Sequence, residues 1–305
     1  TMETKIRFGT DGWRGLIAHD FTFDNVSRCA QGVCDYLNQK CSSRASLVVG
    51  YDTRFLSKEF AETVAKVGAA NGLRIYLSIE PLPTPVLSFN VLDKRAAGGI
   101  VITASHNPGV WNGFKYKPEY GGSATQEITD SLEYFIERSG LPKTMSLEQG
   151  INEGLIIYDN PAPVYIDKIA SLIDLDLIRQ SGLYVVVDAM FGAGAGFFPR
   201  LLEGGTTTVK EINGYVNPAF PGMEQPEPID RNLTALSESL QQQPCSVGLA
   251  LDGDADRLGV IDEYGSFIST LEVFSLLALY LLEEKGLRGD LVKGVTSSLM
   301  LNKLA

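Results

Sequence analysis

The chain has 305 residues, of which 44% are hydrophobic and 21% charged, the proportions of a folded protein with about two domains. Its 26 Lys+Arg against 37 Asp+Glu leave a net charge of −11, which repels phosphate polyanions at long range and excludes nonspecific binding to nucleic acid or an anionic membrane. An anionic substrate must therefore be held by a local basic pocket.

In chain order, residues 47–49 read as a short apolar strand ending in the polar Tyr51-Asp52-Thr53-Arg54. A helical pattern follows, from Ser57 as N-cap through Phe60, Val64, Val67 and Ala70 to Gly72 at the C-cap position. Residues 73–79 read as the next strand, Pro81-Leu82-Pro83-Thr84-Pro85 as a rigid loop, 86–92 as a short helix and 98–103 as a buried strand. Strand, helix, strand, helix, strand means crossover units and a mostly parallel sheet. After a helix over 126–138, the weakly periodic stretch 140–160 reads as a domain boundary. The order then recurs: a helix over 164–180, strands at 183–188, 206–212 and 247–251, and helices at 197–202 and 233–242. A strand at 258–261, a long apolar helix at 271–282 and a strand at 291–295 read as the start of a third unit. Such a unit is unable to close a core alone and must pack on the second unit or on further chain. The expected division is 1–150, 151–257 and 258–305.

The N-terminus opens on polar residues with no visible signal peptide, and the longest mostly apolar run, 273–282, is too short to cross a bilayer. Cys29, Cys34, Cys41 and Cys245 form no Cys-x-x-Cys pair and read as free thiols of a cytoplasmic protein. The two histidines, His19 and His106, exclude a three-histidine zinc site within the chain.

Three places can carry chemistry. Thr103-Ala104-Ser105-His106-Asn107-Pro108 follows a buried strand, at the end where open parallel sheets bind ligands. Asn107 and Pro108 fix the loop, so Ser105 is presented rigidly. No Gly-x-Ser-x-Gly elbow is present, and a serine that carries a phosphoryl group fits better than a hydrolase triad. Asp252-Gly253-Asp254-Ala255-Asp256-Arg257 follows another buried strand. Three carboxylates at alternating positions suit one hard cation, and their repulsion calls for neutralisation by it or by Arg257. An EF-hand would share Asp252, Asp254, Asp256 and Glu263 but needs glycine where Arg257 stands. A haloacid-dehalogenase-like phosphatase would use Asp252 and Asp254 but typically has Thr or Val where Asp256 stands; Mg²⁺ on the three aspartates is the preferred reading. The third place is basic, in Gly9-Thr10-Asp11-Gly12-Trp13-Arg14-Gly15 and Asn112-Gly113-Phe114-Lys115. The flanking glycines read as a loop that aims Arg14 at an anion. Lys115 reads as part of the Ser105 loop, where neighbouring cations would lower its pKa and suit proton transfer. Gly192-Ala193-Gly194-Ala195-Gly196 imitates a dinucleotide loop, but Phe197 stands where the third glycine is required, leaving a tight turn with close packing.

Together these segments resemble the α-D-phosphohexomutase family, which includes phosphoglucomutase and phosphomannomutase. Thr-Ala-Ser-His-Asn-Pro resembles its phosphoserine loop, Asp-Gly-Asp-Ala-Asp-Arg its magnesium loop, and residues 8–15 its N-terminal signature. The resemblance implies α/β fold class: consecutive similar three-layer domains with mixed, mostly parallel sheets, the third incomplete. It implies a phosphoryl group shuttled between the 1- and 6-positions of a hexose phosphate, with a hexose 1,6-bisphosphate as intermediate and activator. Ser105 would carry the phosphoryl group and, with Asp252, Asp254 and Asp256, bind Mg²⁺. Arg257 would contact the phosphate, Arg14 and Lys115 would act near the transferring group, Lys115 as general acid/base, and His106 would support the loop. Lys293 resembles a substrate-side lysine. Trp13, where phosphoglucosamine mutases usually carry Ile, points to glucose or mannose phosphates. Because the family's third- and fourth-domain recognition loops are absent from these residues, a fragment with little turnover alone is expected. The competing readings are a noncatalytic Mg²⁺ or phosphosugar binder and an aspartyl-phosphate phosphatase centred on Asp252.

Overall fold

The computed structural model describes residues 5–9, 12–41, 45–242 and 245–305. The first unit begins with strand β1 (Trp13–Leu16), helix α1 (Phe23–Lys40), β2 (Ser46–Tyr51), α2 (Ser57–Ala70), β3 (Arg74–Ser78) and α3 (Thr84–Asp93). It continues through β4 (Gly98–Ile102), β5 (Trp111–Pro118), α4 (Gln126–Arg138), α5 (Leu147–Asn152) and β6 (Ile156–Asp159). The second contains α6 (Ala162–Ala170), α7 (Leu175–Gln180), β7 (Tyr184–Asp188), α8 (Phe197–Leu202), β8 (Thr208–Ile212) and α9 (Thr234–Gln242). β9 (Val247–Leu251), β10 (Leu258–Ile261), β11 (Phe267–Ile268), α10 (Thr270–Glu283) and α11 (Met300–Leu304) complete the chain.

The first sheet runs β1-β5-β4-β2-β3-β6 and the second β11-β10-β9-β7-β8. β4, β2, β3 and β6 are parallel, and β5 runs antiparallel to both β4 and β1. Likewise β9, β7 and β8 are parallel while β10 and β11 fold back antiparallel. Each sheet lies between helix layers. On one face of the first, α1 and α2 bury Val26, Val33, Leu37, Phe60 and Val64; on the other, α3 buries Val86, Leu87 and Val91. In the second, α9 packs Leu236 and Leu240 on one face, and α7 and α8 pack Leu175 and Leu202 on the other. The expected α/β class with mixed sheets is the observed one.

Several local expectations differ. The helix read over 164–180 is two helices, α6 and α7, with Asp174 capping the second through Leu177 N. The division at 150 falls before β6, which pairs with β3, and that at 257 falls before β10 and β11, which pair onto the second sheet. β10 is the return arm of a hairpin and not the opening of a parallel unit. Residues 291–295 form no strand, and Val292 and Val295 are exposed. No helix among the described residues is long and apolar enough to cross a membrane.

Candidate active site

The two sheets place equivalent loops face to face. β4 ends at Ile102 and β5 begins at Trp111, and the turn between them carries Ser105 with φ of 53°. Thr103 Oγ1 accepts from Ser105 N at 2.8 Å, a local bond that closes the turn. β9 ends at Leu251 and β10 begins at Leu258, with Asp252, Asp254 and Asp256 between. Asp252 Oδ1 accepts from the backbone N–H groups of Asp256 and Arg257 at 2.9 and 3.0 Å, curling this loop around its own first carboxylate. Close approach of the loops needs glycine at 253: a Cβ there would lie 2.5 Å from the Ser105 carbonyl oxygen.

The side chains then converge. Ser105 Oγ donates to Asp252 Oδ2 at 2.8 Å, while His106 Nδ1 lies at 3.4 Å from the same serine oxygen. Lys115 Nζ donates to Asp254 Oδ2 at 2.8 Å and Asp256 Oδ2 at 3.3 Å; Thr84 Oγ1, from the start of α3, also donates to Asp254 Oδ2, at 2.6 Å. Ser105, Lys115, Asp252 and Asp254 are all buried.

Burial, reinforced by Asp254 and Asp256, pushes the Asp252 carboxyl well above the usual range. Burial acts on Asp254 in the same sense, but Lys115 and the Thr84 hydroxyl override it and hold this carboxyl at about 2. Burial, with Arg257 nearby, lowers His106 and favours its neutral form. The three aspartates offer carboxylate oxygens within 4.8 Å of one another, and Asp254 Oδ1 is buried without a hydrogen-bond partner. An all-oxygen cluster with an orphaned buried acceptor fits a hard divalent cation such as Mg²⁺. The EF-hand alternative fails, because the loop joins two strands.

The family models for phosphoglucomutase/phosphomannomutase alpha/beta/alpha domains I and II match residues 5–142 and 163–265. A Thermus thermophilus crystal structure described as a phosphomannomutase is 35% identical with a TM-score of 0.89, over 99% of this chain and 67% of that one. The chain belongs to this family. A phosphoglucomutase/phosphomannomutase of Thermococcus kodakarensis is 31% identical over 98% of the chain and 64% of its own length. A Pyrococcus furiosus relative described as a phosphoglucosamine mutase is 30% identical over 97% and 62%. The chain thus spans less than two thirds of the curated phosphohexomutases it matches.

Of the residues expected in a phosphohexomutase site, Ser105, Lys115, Asp252, Asp254 and Asp256 meet in one cluster, with His106 at its edge. Arg14 reaches the serine loop by donating to Asn107 Oδ1, from within β1 rather than from a glycine loop. Thr10 and Asp11 of the same basic segment lie outside the described residues. Lys115 likewise sits on β5, paired with carboxylates instead of crowded by cations. Arg257 pairs with Glu227 at 3.1 Å. Lys293 lies in the irregular stretch between α10 and α11, outside the cluster. Trp13 is a core side chain stacked on Phe21 at 5.0 Å, so its identity reports packing. The Gly192–Gly196 run serves packing as well: Ala193 N donates to Gly253 O at 3.0 Å. Sequence reasoning missed Thr84, whose side-chain partner Asp254 is distant, and Arg54, whose partners apart from Asp52 lie in a distant turn; the polar ends of the Tyr51–Arg54 and 81–85 loops were the available signal.

Proposed function

We propose that the chain carries the phosphoryl-transfer site of a phosphohexomutase, with Ser105 as the carrier. The observation that supports this best is the Ser105 hydroxyl donating to the first of three clustered aspartates at 2.8 Å. In the reading, Asp252, Asp254 and Asp256, with Ser105, hold Mg²⁺. When bound, the cation supplies charge neutralisation for the transferring group.

The chain's own groups do the rest. A phosphoryl group on Ser105 Oγ passes to a hydroxyl of a hexose phosphate: the P–Oγ bond breaks, a P–O bond to the sugar forms, and the hydroxyl proton ends on Ser105 Oγ. Lys115, an ammonium between two carboxylates, gives its proton to the departing oxygen and recovers one from the sugar. The resulting hexose 1,6-bisphosphate turns over and returns its other phosphoryl group to Ser105. Arg14 and Arg257 hold phosphate oxygens, and neutral His106 supports the loop. The substrate class is hexose phosphates, since the relatives carry the names of glucose, mannose and glucosamine enzymes. Turnover by these residues alone is expected to be slow, because binding energy from a remote second phosphate is what orients the sugar.

The alternative is an aspartyl phosphatase centred on Asp252, which a labelling experiment separates from the serine carrier. The test is incubation with glucose 1,6-bisphosphate and Mg²⁺, followed by intact-mass measurement. One phosphate on the wild type and none on Ser105→Ala is expected. Unchanged labelling of Ser105→Ala, or an acyl phosphate on Asp252, would sink the reading.

A further inference from the structure

The serine loop rests on a buried cation that the phosphoryl chemistry leaves unused. Arg54 lies just beyond β2, and its side chain is fully buried. A guanidinium has five N–H donors and no acceptor, and here all five are engaged. Nε donates to Asp52 Oδ2 at 3.0 Å. Nη1 donates to the carbonyls of Pro108 and Trp111 at 2.9 and 3.1 Å, and Nη2 to those of Ser105 and Asn107, both at 2.6 Å. The Phe220 ring, from the second unit, lies 5.1 Å from the guanidinium carbon. Asp52 is itself fixed, accepting from Ser57 Oγ at 2.8 Å and Arg54 N at 3.0 Å, and Asn112 at the far foot of the loop donates to Ser57 Oγ at 2.9 Å.

We propose that Arg54 is the positioning residue for Ser105, a clamp that fixes the loop in the conformation turning Ser105 Oγ toward Asp252. The proposal deepens the phosphoserine reading and rests on it. Ser105 has a positive φ that a residue with a Cβ adopts only when its surroundings impose it. Four carbonyls drawn to one cation impose it. Because the peptide bonds are trans, pulling the Ser105 carbonyl inward turns the N–H of His106 away from the guanidinium. Lysine would be a poor substitute: it has three donors, no planar fork, and leaves buried carbonyls unpaired.

The test uses the 305-residue chain and Arg54→Lys. Amide hydrogen exchange across residues 103–112 is expected to quicken by about tenfold or more as the loop opens locally. Phosphorylation of Ser105 by glucose 1,6-bisphosphate should slow by about 100-fold, the penalty for a small misplacement of a reacting group. Mn²⁺ binding at the aspartate loop should persist, which global unfolding would not allow. Exchange and phosphorylation at wild-type rates would overturn the clamp. If the variant does not fold, the wild type decides by nitrogen-15 NMR: resolved, slowly exchanging Nη signals of Arg54 support the clamp, and one rotationally averaged signal refutes it. If the wild type accepts no phosphate, the phosphoryl reading falls, while exchange and guanidinium signals still decide the clamp.

Discussion

The serine loop and the aspartate loop occupy the same place in two similar sheets, each joining a parallel strand to the antiparallel strand beside it, yet they are stabilised in opposite ways. The serine loop is held from beneath by Arg54, which answers the carbonyls of Ser105, Asn107, Pro108 and Trp111. The aspartate loop carries its charge inward. It leans on groups from the first unit, Ser105, Thr84 and Lys115, and still leaves Asp254 Oδ1 unanswered. One loop is preorganised by packing and by carbonyls gathered on a buried cation. The other is electrostatically incomplete, and a divalent cation would complete it.

The largest test of that contrast is Lys115→Met. It removes one partner of a buried ion pair and leaves Asp254 uncompensated, a change that costs about 3–5 kcal/mol. Urea unfolding should show this loss at neutral pH. Because Lys115 helps hold Asp254 at about 2, the wild-type contribution is fully present above the ordinary aspartate pKa of about 3.8 and disappears as pH falls toward 2. The two proteins should therefore converge in stability at the acid end. A constant gap down to pH 2 would show that the pair is not what fails.

Asp252→Asn probes the same loop with the opposite sign. The folded protein favours the protonated form of Asp252, so this group's stabilisation is present below the ordinary carboxyl range and is lost as pH rises through its elevated value. Without divalent cation, the variant should be as stable as the wild type or more so. With Mg²⁺ at about 100 times its dissociation constant, the wild type should gain about 2.7 kcal/mol and the variant far less. Equal gains in thermal stability for both would remove Asp252 from the cation site.

Much of this arrangement was legible in the amino-acid order. Ser105 and the three aspartates stand out because short polar motifs follow apolar strands, and those strands, β4 and β9, are buried runs that read easily. β1 and β5 did not. Asn112, Lys115 and Lys117 make β5 read as a loop, because their burial depends on partners such as Ser57 and Asp254 that are remote in sequence. β6 is a short edge strand with Ile157 and Tyr158 exposed, so it lacks the apolar run of a central strand. Arg54 was visible only as part of a polar loop end, since nothing local indicates that its donors face a turn beginning 51 residues later.

Gly253→Ala tests whether the loops must touch. The new Cβ would meet the Ser105 carbonyl at 2.5 Å, and that oxygen is already fixed by Arg54, so neither side can yield cheaply. A cost of about 1–3 kcal/mol in chemical unfolding is expected, together with slower phosphate acceptance by Ser105. Unchanged stability and labelling would mean that the loops separate freely in solution.

The smallest effect should come from Thr84→Val, which keeps the side chain's size and removes one donor to a charged acceptor. Such bonds are worth about 1.5–3 kcal/mol, and the lower end applies because Lys115 Nζ and the Thr84 backbone N–H still hold Asp254 through Oδ2 and its carbonyl. The informative readout is the acid limb. Without the hydroxyl, Asp254 should titrate above 2 and the pH-dependent loss of stability should move upward, toward the ordinary carboxyl range. Mg²⁺ should still bind, since the free Oδ1 is untouched. An unmoved acid limb with lost Mg²⁺ binding would reverse the assignment of the two oxygens, making Oδ2 the one turned toward the cation.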